Sequence, residues 1–149
     1  MNMETVIVGY NDSDASRAAL RWVIDYAEDR SVELVVVTVV SSFVELEFAA
    51  AQMASYSARD DALTHLNGQW TAPLRERGIA YRTGVGVGRP AAELMRIARE
   101  DHASLIVVGM SERGTLSELA FGSTQHSLLH HALRPVVAVP TGWTAEPAA

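Results

Sequence analysis

Leu105-Ile106-Val107-Val108-Gly109, then a short loop, then Gly122-Ser123-Thr124, reads as a buried strand ending on glycine and a helix opening on small residues. That junction is how a protein builds an anion site. Backbone N–H groups at a helix start have no partner inside the helix, and together with the helix dipole they attract phosphate. Adjacent glycines let a ligand come close. A final apolar strand, Val136-Val137-Ala138-Val139, follows that helix.

Upstream, short β-branched runs alternate with helical patterns, the signature of a parallel sheet covered on both faces. The expected strands are 5–9, 33–40, 80–85, 104–108 and 136–139. Asp12 or Ser13 caps a helix whose Ala19, Trp22, Val23, Tyr26 and Ala27 recur at three and four. A long helical region over 44–77 carries Tyr56, Leu63, Leu66, Trp70 and Leu74 on one stripe, with Pro73 kinking or restarting it and Gly78 ending it. Pro90 opens a helix with Ala91, Leu94, Ile97 and Ala98 on its buried face, ending near Asp101, and the last helix is expected over 123–132. Residues 1–140 form one domain, and 141–149 a flexible tail. In a doubly wound sheet the strand order reverses, and ligands bind beyond the carboxyl ends of the strands at that reversal. If strands one and four are neighbours, 9–13 and 109–122 face one crevice able to hold a mononucleotide.

Composition removes several function classes. The chain has no cysteine, so disulfides, thiolate metal sites and cysteine nucleophiles are out. All twelve basic residues are arginine. Without lysine, neither a G-x-x-x-x-G-K-[ST] phosphate loop nor a Schiff base can form. Net charge is −6, with both signs interspersed, which opposes a nucleic-acid partner. No apolar run approaches the ~20 residues that span a bilayer, and Met1-Asn2-Met3-Glu4 does not start a signal peptide, so the expectation is a cytoplasmic protein with no membrane partner.

Three constellations fall short of a motif. Gly109-Met110-Ser111-Glu112-Arg113-Gly114 places its second glycine one position late for a G-x-S-x-G nucleophile elbow. Gly84-Val85-Gly86-Val87-Gly88-Arg89 has Arg89 where a dinucleotide fingerprint needs glycine, and reads as relief of a strand exit. His126 and His130 lie four apart, but no third metal ligand is evident, and cationic residues suit a helix C-terminus. No catalytic residue and no metal ligand set is read. Trp22 and Trp70 fit core or interface packing.

From Val6 to Val139 the chain resembles the universal stress protein family. The resemblance rests on Val6-Ile7-Val8-Gly9 with Ser13 and Ala19-Leu20-Arg21-Trp22, on Gly88-Arg89-Pro90, and on Val107-Val108-Gly109 through Gly122-Ser123 to His131-Ala132 and Pro135-Val136-Val137-Ala138-Val139. It implies a single doubly wound α/β domain, a five-stranded parallel sheet in order 3-2-1-4-5 with helices on both faces, of adenine-nucleotide alpha-hydrolase-like type. It also implies a homodimer through the last strand, with Val136, Val137, Ala138 and Val139 at the interface. One branch of the family binds ATP or AMP at the fourth loop, with Mg accompanying ATP and at most incidental hydrolysis. A second branch binds no nucleotide.

The binding branch carries G-x2-G-x9-G-[ST]. Gly109, Gly122 and Ser123 match it, while Glu112 stands at the second glycine and Gly114 follows two residues on. Asn11 replaces a usual aspartate, Asp12 a common glycine, and Gln125 a phosphate-contacting serine or threonine. The implied nucleotide site comprises Gly9, Tyr10, Asn11, Asp12, Val39, Val108, Gly109, Met110, Glu112, Gly114, Gly122, Ser123, Thr124 and Gln125. Two classes stay open: a stress-response module that binds ATP or AMP, and a nucleotide-free dimeric module that engages a protein partner of unknown identity.

Overall fold

Val6 stands between Leu34 on one side and Leu105 on the other, which puts the first strand at the centre of the sheet. The computed structural model describes residues 3–40, 48–110 and 116–145, and of 48–56 and 116–123 the backbone alone. Strands β1 (Glu4–Gly9), β2 (Val32–Val40), β3 (Tyr81–Val87), β4 (Leu105–Met110) and β5 (Val136–Pro140) pair in parallel in the order 3-2-1-4-5. This is the expected order. The reversal falls between β1 and β4.

Period-two alternation sends neighbouring side chains to opposite faces, so strands covered on both sides read as continuous apolar runs. Val6, Val8, Leu34, Val36 and Val107 pack with Leu20, Val23 and Ile24 of helix α1 (Asp14–Glu28), and with Leu66 and Leu74. Ile7, Val35, Val37, Ile106 and Val108 pack on the other face with Leu94 and Ala98 of α4 (Pro90–Glu100) and Leu128 of α5 (Leu116–His131). Trp22, Trp70 and Trp143 are partly buried against the α1 side, consistent with packing roles for the first two.

The long helical region divides differently from expectation. Helix α2 (Phe48–Leu66) ends before Asn67-Gly68, a 3-10 turn covers Gln69–Thr71, and α3 (Ala72–Glu76) follows. Pro73 lies in the first turn of α3, where its missing N–H costs no hydrogen bond, so the break comes ahead of it. The Thr71 hydroxyl donates to the Leu66 carbonyl at 2.6 Å across the break. Gly78, at φ +68°, lets the chain leave α3.

Two further expectations are corrected. Helix α5 begins at Leu116 rather than Ser123, so Gly122-Ser123 lies inside it. The Leu116-to-Phe121 stretch contains no breaker, and one interior glycine costs a helix only about 1 kcal/mol. The tail expected from residue 141 is tied down at its start. Thr141 donates through Oγ1 to the Met110 carbonyl at 3.1 Å, and Trp143 docks on the core. No helix among the described residues is long and apolar enough to cross a membrane.

Candidate functional site

At the reversal, the loop after β1 turns sharply into α1. Asp12 adopts φ +61°, a left-handed conformation that Asp and Asn tolerate better than most side chains, which rationalises a glycine-like position. Asn11 Oδ1 accepts from the Ser13 N–H at 3.2 Å, a local turn. Ser13 then caps α1. Its hydroxyl accepts from the Ser16 N–H at 3.1 Å, while the Ser16 hydroxyl accepts from the Ser13 N–H at 3.0 Å and donates to the Ser13 carbonyl at 3.1 Å. The Asn11 N–H also donates to the Ser16 hydroxyl, at 3.3 Å. Both hydroxyls are thereby occupied in the cap.

A cavity of about 260 Å³ opens beyond the carboxyl ends of β1, β2 and β4. That is just below the roughly 300–1,000 Å³ of small-molecule sites. Val37, Val39, Leu94 and Val108 make apolar walls, and Gly9, Tyr10, Asn11, Ser13, Ala15, Ser16, Pro90, Gly109, Thr124 and Gln125 complete the lining. Two helix starts meet here. The cap of α1 uses the Ser16 N–H and leaves that of Ala15, and α4 begins at Arg89-Pro90 with no side-chain cap at all. The field favouring an anion thus comes from the first turns of α1 and α4. It does not come from Ser123, because an N–H that deep in a helix is committed to the carbonyl one turn back.

Gly109 has a packing reason to be glycine. A Cβ there would overlap the backbone carbonyl of Ala15 and approach the Ala15 Cβ to 2.7 Å. Strand β4 and the first turn of α1 cross with no room for a side chain. At Gly9 a Cβ would sit 3.3 Å from both Leu94 and Val108, tight but within reach of small adjustments. Gly86 similarly lets α4 close on the sheet, since a Cβ would come 2.9 Å from Glu93 Oε2.

Of the expected site residues, the structure brings Gly9, Tyr10, Asn11, Val39, Val108, Gly109, Thr124 and Gln125 to the cavity. Gln125 is already engaged, its Nε2 donating to the Gly109 carbonyl at 2.8 Å. Asp12 and Met110 are not part of the lining. The Asp12 carboxylate lies 3.3 Å from the Tyr10 hydroxyl and 3.4 Å from Arg17, in a different groove, and the Met110 carbonyl accepts from Thr141. Glu112 and Gly114 fall outside the described residues, and Gly122 and Ser123 are described only as α5 backbone. Ser13, Ala15, Ser16, Val37, Pro90 and Leu94 are lining residues that the motif reading did not include. The Ser-x-x-Ser cap and the Gly86-to-Pro90 run, which presses α4 against the crevice, are the signals that point to them.

Tyr10 forms part of the floor and is 6% exposed. Burial, then the adjacent Asp12 charge and its hydrogen bond, push the phenol up to about 12, so it stays a neutral donor. His126 and His130 are exposed with ring centroids 4.3 Å apart, and no cluster of three or more metal-ligating side chains is present among the described residues.

A profile of the Universal stress protein family matches residues 2–140. A universal stress protein of Mycolicibacterium smegmatis is 28% identical over 137 residues, covering 90% of this chain and 95% of its own length. One from Mycobacterium tuberculosis is 32% identical over 139 residues, covering 89% of this chain but 44% of the relative, so the chain spans under half the length of that protein. Among solved structures, a universal stress protein family member from Arabidopsis thaliana with AMP bound superposes with a TM-score of 0.67 at 17% identity, over 92% of this chain and 91% of the other.

Proposed function

The chain belongs to the universal stress protein family, and from that membership we propose that it is a regulatory module binding an adenine mononucleotide, AMP or the corresponding part of ATP, at the carboxyl ends of β1 and β4. The carrying observation is the cavity at the sheet reversal, with apolar walls and the first turns of two helices around it. Val37, Val39, Leu94 and Val108 offer a dry surface to a base, and the Ala15 amide in the first turn of α1, with the positive end of the α4 dipole behind Pro90, suits a phosphate. That a relative of the same fold holds AMP supports this assignment. No catalytic step is part of the proposal.

Thermal unfolding with AMP or ATP tests the reading. A ligand at about 100 times its dissociation constant stabilises by roughly 2.7 kcal/mol, which raises the melting temperature by about 5–10 °C in a domain of this size. An unshifted transition with both nucleotides overturns it. A second reading, a nucleotide-free interaction module, is favoured by two observations. Packing against Ala15 requires glycine at 109 whether or not a ligand binds, and the Gln125 amide is already held by the strand.

A further inference from the structure

Beside the first cavity and sharing Tyr10 with it, between α1 and the 3-10 turn with α3, lies a second cavity of about 340 Å³. Its chemistry is distinct. Arg17 and Arg21, one turn apart on α1, and Arg77, just after α3, bring three guanidinium groups to one groove, with Asp12 the single carboxylate in its lining. Half-buried Trp70, stacked on His65 with ring centroids 5.0 Å apart, borders the groove together with Tyr10, whose ring lies 5.3 Å from it. Arg17 is held by Asp12 and Asp14, and Arg77 by Glu28 at 2.7 Å. Arg21 differs: among the described residues it pairs with no carboxylate, and its one hydrogen bond is a 3.5 Å contact to the Thr141 carbonyl.

We propose that this groove is a binding site for a small aromatic acid, a flat ring bearing a carboxylate or phosphate. Arg21 would form the charge-assisted, bidentate pair, and the part of the Trp70 ring that His65 leaves uncovered would supply the aromatic contact. A guanidinium fork matches a carboxylate or phosphate edge, and an aromatic floor accepts a planar body. The size of the cavity suits a small molecule. A polyanion is disfavoured, because the positive set is confined to the groove of a chain with net charge −6.

The test uses phenyl phosphate as probe against the full chain, followed by proton–nitrogen NMR of the Trp70 indole and Arg21 Nε–H groups. Both signals should move saturably, with inorganic phosphate alone and benzyl alcohol alone each binding at least about 10-fold more weakly. Arg21→Ala, an exposed position, should weaken phenyl phosphate by about 10-fold or more while leaving the unfolding transition unchanged. Unmoved Trp70 and Arg21 signals, equal affinity in Arg21→Ala, or perturbation of the Gly9 and Gly109 amides in their place would each overturn the proposal. AMP titration of Arg21→Ala reports separately on the other cavity, so the two sites succeed or fail independently.

Discussion

Gly109 is held to glycine by contact with α1, so Gly109→Ala should destabilise the fold by about 1–3 kcal/mol or more, the range for forcing atoms into a filled space. Urea denaturation checks it, and a variant as stable as the parent would show that β4 and α1 can separate freely. Tyr10 carries a pH signature. Because its folded value is raised from 10.0 to about 12, its stabilisation is complete below pH 10 and is lost as pH climbs from 10 through about 12. Tyr26 shifts the same way by burial, and Tyr81 the opposite way through the polar side chains of Thr71 and Arg75 beside its hydroxyl. Comparing the parent with Tyr10→Phe therefore isolates the one residue. The phenylalanine variant should lose less stability across that alkaline window, and identical alkaline curves would contradict the shift. At this scale Gly9, Asn11 and Gly109 of the motif reading lie in or beside the strand ends and line the cavity. Asp12 does not line it, and nothing in a residue's letter reveals that a left-handed backbone brings its carboxylate toward Arg17.

Helix α1 enters the site through a reciprocal Ser13–Ser16 cap, so Ser13→Ala should cost about 1 kcal/mol of stability. Ser13→Asp, which keeps an accepting side chain, should restore most of it. Equal loss in both variants, measured by chemical denaturation, would mean the cap contributes little. The sequence narrowed the cap to Asp12 or Ser13 ahead of an apolar three-four repeat, and the structure places it on Ser13. All five strands were legible too, within one or two residues, since β-branched runs bounded by turn residues admit little else, although β3 is interrupted by Gly84 and Gly86. Helix limits were harder to read. Gly122-Ser123 looks the same whether it starts a helix or lies within one, and Pro73 marks a restart without saying how far upstream the previous helix has stopped.

At the scale of the molecule, β5 pairs with β4 on one side and, among the described residues, with no strand on the other, and exposed Leu129 and Leu133 lie just before it in sequence. An unpaired apolar edge recruits another strand. We expect a homodimer in which Val136-Val137-Ala138-Val139 meets a second copy. Sedimentation at micromolar concentration should give twice the chain mass, and Val137→Lys should halve it. A parent that sediments as a monomer would contradict this. Strand order was legible only through the family resemblance, since periodicity finds strands without saying which are neighbours. The helix residues that wall the cavity, Pro90 and Leu94, needed the three-dimensional arrangement as well.

The pairing of Val6 with Leu105 joins positions about a hundred residues apart, whereas Val6 meets Leu34 within one crossover. During synthesis β1, β2 and β3 can assemble while the remainder is still being made, with one side of β1 left bare until β4 arrives. The crevice between β1 and β4 then forms late, and a chain truncated before Leu105 would expose the adhesive inner edge of β1 to its neighbours.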